Sequence, residues 1–379
     1  MTDIQKQFVE IIRAALWDDC NYRPSNCVDW DILTIMAKEQ SILGIYGDYV
    51  LRNKDRFAKE GYAIPENLLI RLKSAVYQIV LLNEKTDRVL AKVVSVLNNA
   101  NITSTLLKGQ GLASYYPNPV LRQCGDIDLY VGEENYYKVA DVLRNIATEV
   151  NVEGETSKHY HLVVDGILVE IHRTAMSYLI PKKNQIFEVN QSVGMSEPNV
   201  QLFSGIRVLT PSNHFNSVYI FNHMFNHFMT EGVGLRQICD WLFFLHTHKG
   251  TLDDKYIFDT LDGMSELVPW KIMGTILVDI LGLPSDEFPL YTSNYQLKAN
   301  KILAFIFKEG NFGENIRPHH LRSQNYFFAK SQSFVRKMHR YFRLMSIMPK
   351  TTLYYIISFL LGGIKKVHND LKTRKIYNS

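Results

Sequence analysis

The chain has 379 residues, of which 46% are hydrophobic, 12% aromatic and 21% charged, enough apolar material for a packed core and too much for a disordered protein. Its formal charge of +4 hides an asymmetry: residues 317–379 carry 13 Lys or Arg against one acid, Asp370, a balance of +12 that leaves −8 on residues 1–316. The longest near-continuous apolar run, Leu353 to Ile364, has 12 residues, against the roughly 20 of a membrane-spanning helix.

The polar, amphipathic start from Met1 to Phe8 does not read as a secretory leader. Four dispersed cysteines (Cys20, Cys27, Cys124, Cys239) form no C-x-x-C and suggest no disulfide framework, so a reducing, cytoplasmic setting is expected. Ile4, Phe8, Ile11, Ile12 and Ala15 recur at helical spacing. Similar stripes run through residues 31–51 and 67–97, after a turn at Ser25 and Asn26 and a start signal at Pro65. The period breaks at Asn98 to Asn101, and Thr105 to Leu107 reads as a strand entering the tight turn Lys108-Gly109-Gln110-Gly111.

Residues 112–116 can form a turn of helix, stopped by Pro117 and Pro119. Residues 126–131 then alternate as a strand and 133–146 return to helical spacing. His159 to Val164 and Ile167 to His172 read as two strands joined by the hairpin signal Asp165-Gly166. Residues 206–209 give another strand, and Thr210-Pro211-Ser212-Asn213 caps a helix striped by Phe215, Val218, Phe221 and Phe225. The expected fold class is α+β: a small mixed β-sheet core in residues 101–210, between an N-terminal helical region, 1–100, and a C-terminal helical region with a basic end, 211–379.

The chemistry concentrates around Asp126 and Asp128. Side chains alternate along a strand, so these two carboxylates share one face while Ile127 and Leu129 take the other. Like charges so close raise one another's pKa unless a cation sits between them, which suggests a divalent metal site with hard oxygen ligands, Mg²⁺ being the expected occupant. A third acid is expected on a neighbouring strand, and Val169-Glu170-Ile171-His172 puts Glu170 opposite Val169 and Ile171. Lys108 and Gly109, at a strand end and helix start, suit a phosphate, although neither a P-loop nor a Gly-x-Gly-x-x-Gly is present. Three acids around two metals would serve phosphoryl chemistry.

Lys-Gly, then Arg122-x-x-Gly125-Asp126-Ile127-Asp128-Leu129, then Val-Glu170-Ile-His resembles the nucleotidyltransferase superfamily of the DNA polymerase β type. The sequence is most similar to its uncharacterised bacterial nucleotidyltransferase family, and more distantly to toxin nucleotidyltransferases of abortive-infection systems. Gly109-Gln110 replaces the superfamily's Gly-Gly or Gly-Ser step, and the motifs cover residues 106–172. Residues 234–241 are similar to the same family's carboxy-terminal region, with less specificity. The resemblance implies that Asp126, Asp128 and Glu170 hold Mg²⁺ in a one- or two-metal site, with Glu170 as base or metal partner for an acceptor hydroxyl. It implies that Lys108, Gly109, Arg122 and Gly125 contact the nucleotide. The implied reaction moves a nucleoside monophosphate from an NTP donor to a hydroxyl of RNA, protein or a small molecule, releasing pyrophosphate.

Several residues carry two readings. Arg122 either neutralises phosphate as a bidentate donor or pairs with an acid to hold the Pro-rich loop. His172 either contacts substrate or is a satisfied strand histidine, and Asp240 either caps or pairs with Arg236 at helix spacing. His223 and His227 lack the glutamate of a zinc protease, Met224 standing in its place. The basic end mixes charges with Tyr326, Phe327, Phe328, Phe334, Tyr341 and Phe342. It reads as a nucleic-acid surface, as helices with an aromatic core face, or as an interfacial helix that brings Lys365, Lys366, Lys372, Arg374 and Lys375 to anionic lipid. The rival to catalysis is a silent nucleotide-binding or scaffold protein acting through these basic helices. Asp126→Asn and Asp128→Asn are both expected to abolish turnover at little cost in melting temperature.

Overall fold

The structure is a computed structural model describing residues 1–24, 27–151, 159–316 and 326–377, without the side chains of 314–316, 326–330 and 364–377. The turn read at Ser25 and Asn26 therefore lies outside the described residues. Four helices open the chain: α1 (Asp3–Leu16), α2 (Trp30–Glu39), α3 (Leu43–Lys59) and α4 (Glu66–Asn99). Helix α1 starts on a capping box in which Thr2 and Gln5 exchange side-chain and backbone hydrogen bonds, satisfying two otherwise orphaned donors. At 34 residues, α4 is a rod about 51 Å long.

The α/β segment follows as β1 (Thr105–Leu106), α5 (Gln110–Ala113), β2 (Asp126–Tyr130), α6 (Gly132–Leu143), β3 (Ala147–Asn151), β4 (His159–Val164), β5 (Ile167–His172), α7 (Pro181–Ser196), β6 (Asn199–Phe203) and β7 (Ile206–Thr210). The seven strands form one sheet in the order β3-β4-β5-β2-β1-β7-β6. It is mixed: β2 pairs parallel with β5 and β1 parallel with β7, while the other neighbours are antiparallel. The β4–β5 hairpin turns on Asp165 and Gly166, both with positive φ (50° and 75°), as a two-residue turn matched to strand twist requires.

Three elements escape the sequence pattern. Edge strand β3 buries none of its residues, so it shows no alternation. Strand β6 buries only Phe203 and lies at the other edge. Helix α7 buries Lys183 and Gln191 beside Phe187, because Lys183 pairs with Glu266 and the Gln191 side chain accepts from Ala175 N at 2.8 Å. Its inward face mixes these hydrogen-bonded polar groups with Phe187 and Gly194, so no apolar stripe marks it.

The remaining helices are α8 (Asn213–Thr230), α9 (Leu235–Thr247), α10 (Asp254–Gly263), α11 (Leu267–Thr275), α12 (Gln296–Glu309), α13 (Tyr326–Met345) and α14 (Pro349–Tyr377). The first and last helical regions share one apolar core. Phe8 meets Phe307 edge-on at 5.8 Å, and the Trp17 indole donates to Leu281 O at 2.7 Å. A second core lies between the sheet and α4 and α6, built on Ile127, Leu129, Tyr160, Leu162, Val169 and Ile171. Helix α4 serves both: Leu68 and Leu72 enter the first core, and Leu90, Val93 and Leu97 the second. In the basic end Tyr341 is core, whereas Phe334, Phe342, Leu353, Ile357, Leu360 and Leu361 are exposed. The side chains of Tyr326, Phe327, Phe328, Lys365, Lys366, Lys372, Arg374 and Lys375 lie outside the described residues. No helix of the described residues is long and apolar enough to cross a membrane.

Candidate active site

Strand β2 presents Asp126 and Asp128 on one face because Ile127 and Leu129 are wholly buried in the sheet core on the other. In the parallel register with β5, Asp128 lies beside Glu170 and Tyr130 beside His172, so the third acid reaches the same face one strand over. Lys108 follows β1 and its Nζ lies 2.9 Å from Asp128 Oδ1. Gly109 caps α5 with φ 62° and ψ −120°, a conformation that side chains disfavour, and a Cβ there would stand 3.1 Å from Asp126 O. Gly125 is exposed, and a Cβ there would meet open space.

Asp128 is the hub of the charges. It is fully buried, and besides Lys108 its Oδ1 meets His172 Nε2 at 3.0 Å, while its Oδ2 is buried with no hydrogen-bond partner. Burial opposes its ionisation, yet Lys108 and His172 outweigh burial and hold the carboxyl well below the usual range. Asp126 behaves oppositely. The Asp128 charge and then its own burial push it up to about 6. Burial works against the charges of Lys108 and His172 too, but the Asp128 carboxylate leads the contacts that keep both above their usual values.

Glu170 is oriented from both sides: Oε1 meets His161 Nε2 at 3.1 Å and Oε2 meets His172 Nε2 at 3.3 Å. Burial raises its pKa, and the hydrogen bond from His172 leads the contacts that bring it below the ordinary value. His172 is thus a satisfied strand histidine that bridges two of the acids. His223, on α8, is half-buried, and desolvation first, then Lys108 and His227, holds it far below the ordinary imidazole range. It enters the site's surroundings as a neutral ring.

Lys108, Asp126, Asp128 and Glu170 come together as the sequence suggests, with Gly109 closing behind Asp126. Arg122 does not join them. Its Nε and Nη2 donate to Asp240 Oδ1 and Oδ2 at 2.7 and 2.8 Å, and both side chains are 5% exposed. The Tyr116 hydroxyl donates to the same Asp240 Oδ1 at 2.6 Å, so this carboxylate pairs across 118 residues of sequence, not with Arg236 on its own helix. The loop-holding reading of Arg122 is the one the structure displays. Asn83, in the middle of α4, donates to Val120 O and Arg122 O at 2.8 Å each and fixes the same loop.

Arg236 stands near the site although the sequence marks it only as a helix-spaced neighbour of Asp240. It donates to Gln123 O at 2.9 Å, its Nε is buried without a partner, and its charge lowers the pKa of Asp126. Only its place in the segment 234–241 could have flagged it. His159 and His161 on β4 also face the site, and two alternating histidines beside an acid-bearing strand are the sequence signal for them.

The residues fit a hard divalent cation. The partnerless buried Asp128 Oδ2 is an acceptor awaiting a positive partner, and ligand atoms of Asp128, Glu170 and His172 lie within 4.8 Å of one another. Two solved structures show partial likeness. ANT(2″)-Ia, in complex with adenylyl-2″-tobramycin, is 12% identical with a TM-score of 0.34, covering 48% of this chain and 98% of its own. An antigenic nucleotidyltransferase-like protein from Paracoccidioides brasiliensis is 12% identical with a TM-score of 0.32, covering 52% of this chain and 92% of its own. No curated protein matches the sequence. Residues 26–265 match the family described as "Uncharacterised nucleotidyltransferase", so the chain belongs to that family and is an enzyme of the nucleotidyltransferase class.

Proposed function

We propose that the enzyme transfers a nucleoside monophosphate from an NTP to a hydroxyl of its acceptor, releasing pyrophosphate, in a reaction dependent on Mg²⁺. The observation that carries this reading is the buried, unpartnered Oδ2 of Asp128, on the sheet face it shares with Asp126 and Glu170. Asp126, Asp128 and Glu170 would hold the metal, and His172, bonded to two of them, keeps their oxygens oriented. Bound there, Mg²⁺ would neutralise charge on the transferring phosphoryl group and favour ionisation of the attacking hydroxyl.

The chain's own groups do the rest. Lys108 keeps ammonium protons free beyond the one given to Asp128 and faces the triphosphate. The Gly109 and Gln110 N–H groups stand at the start of α5, ahead of the turn that Gly111 N and Leu112 N close onto Lys108 O and Gly109 O, and are the backbone donors offered to phosphate. With Arg122 committed to Asp240, we assign its phosphate-neutralising role to Arg236, whose Nε is unpartnered, and Gly125 leaves room for the nucleotide. Glu170, fixed by His161 and His172, receives the proton of the acceptor hydroxyl. The acceptor is RNA, a protein or a small molecule.

Thermal melts with each of the four NTPs, with and without Mg²⁺, test the donor site. A ligand at 100 times its dissociation constant adds about 2.7 kcal/mol to stability. The expected result is a Mg²⁺-dependent rise with at least one NTP that is absent in Asp126→Asn, accompanied by self-labelling or pyrophosphate release from the same nucleotide. No rise with any NTP, in protein that melts cooperatively, would favour the silent scaffold.

A further inference from the structure

Strand β4 adds a second set of ligand-type side chains to the site face. Tyr160 and Leu162 are buried in the sheet core, which turns His159 and His161 to the opposite face. In the antiparallel β4–β5 register His161 lies beside Glu170 and His159 beside His172. The imidazole nitrogens of His159 and His161 and a Glu170 oxygen lie within 4.8 Å of one another. The His161 Nε2 to Glu170 Oε1 separation is 3.1 Å, close to the roughly 3.3 Å edge of a tetrahedron with bonds of about 2.0 Å to a central ion. His161 and Glu170 side chains are 29% and 16% exposed, so the set is open to solvent on one side.

The donor chemistry differs from that of the aspartates. Imidazole suits Zn²⁺ and its d-block neighbours, whereas Mg²⁺ selects oxygen donors and octahedral geometry. Two histidines, one carboxylate and an open position make a three-ligand set for such an ion. We propose that His159, His161 and Glu170 form a binding site for a d-block divalent cation of the Zn²⁺ type, distinct from the hard-cation site at Asp126 and Asp128 and joined to it by the Glu170 carboxylate. One carboxylate serves both: Oε1 faces His161 and Oε2 faces His172. Occupancy at the histidines thereby fixes the orientation of the acid that the transfer reaction uses. The binding itself does not depend on the chain turning over NTPs.

The test uses full-length, untagged, metal-stripped protein carrying Cys20→Ser and Cys27→Ser, since both thiols are exposed and would bind Zn²⁺ themselves. Zn²⁺ is titrated calorimetrically in excess Mg²⁺, and Co²⁺ is added separately as a visible-absorption probe. The expected result is one Zn²⁺ per chain and a Co²⁺ d–d band. Both should survive Asp126→Asn, and affinity should weaken at least about 100-fold in the double variant His159→Gln/His161→Gln. His161→Cys should retain the ion and add a thiolate-to-Co²⁺ charge-transfer band, a readout independent of any loss of stability in the glutamine variant. No Zn²⁺ binding by the parent protein, an unchanged affinity in the double variant, or no charge-transfer band in His161→Cys overturns the proposal. Loss of NTP binding in Asp126→Asn with Zn²⁺ retained separates this site from the transfer reaction.

Discussion

Asp126 and Asp128, two residues apart on one strand, have opposite energetics. Asp126 is raised from 3.8 to about 6, mainly by Asp128, so ionising it costs the fold stability as pH rises from about 4 to 6 and the full cost persists above that. Asp126→Asn in chelator should therefore stabilise the fold at pH 7.5 by at most about 3 kcal/mol and raise its melting temperature, with the gain vanishing below about pH 4; scanning calorimetry across that range checks it. Asp128→Asn should do the reverse. It strips the half-buried Lys108 and the buried His172 of their common partner and should cost about 3–5 kcal/mol in urea denaturation, so turnover lost in this variant is entangled with stability. The sequence made both aspartates visible, because alternation and a flanking Lys-Gly are local signals. It could not tell them apart: the difference arises from His172 and Lys108, which reach Asp128 only once β5 and β1 flank β2.

Between elements, the loop before β2 is held by contacts that no local pattern announces. Asn83 on α4 and Asp240 on α9 both fasten it, and each lies far from the loop in sequence. Arg122→Leu should cost about 3–5 kcal/mol, because it leaves the Asp240 carboxylate buried without its cation, whereas Arg122→Leu/Asp240→Leu should recover much of that loss. A double-mutant cycle by urea denaturation measures the coupling. Gly109→Ala forces a side chain into a positive-φ position beside Asp126 O and should cost more than about 1 kcal/mol while weakening NTP binding, read by thermal shift. The helices with apolar stripes and the Asp165-Gly166 hairpin were legible because their patterns are local. Helix α7 was not, since its buried face carries Lys183 and Gln191, whose partners come from other elements.

At the scale of the whole molecule, the two terminal helical regions bury one another's apolar faces, and the sheet leans on α4 from the first of them. A segment of residues 101–210 lacks Leu90, Val93 and Leu97 to cover its sheet and Asp240 to neutralise Arg122. Expressed alone it should show neither sharp near-UV circular dichroism nor a cooperative melt, whereas the full chain should unfold in one transition. Helix α4 has a mechanical consequence too. A single uninterrupted rod is seated at one end among the terminal helices and at the other against the sheet, and its midpoint grips the loop through Asn83 and Gln110 through Asp87. A hinge between helical body and sheet would have to break that rod across its own hydrogen bonds. Substrates must therefore enter by local rearrangement of side chains and short loops over a stiff frame, and amide protons at the middle of α4 should exchange as slowly in the resting enzyme as in the working one.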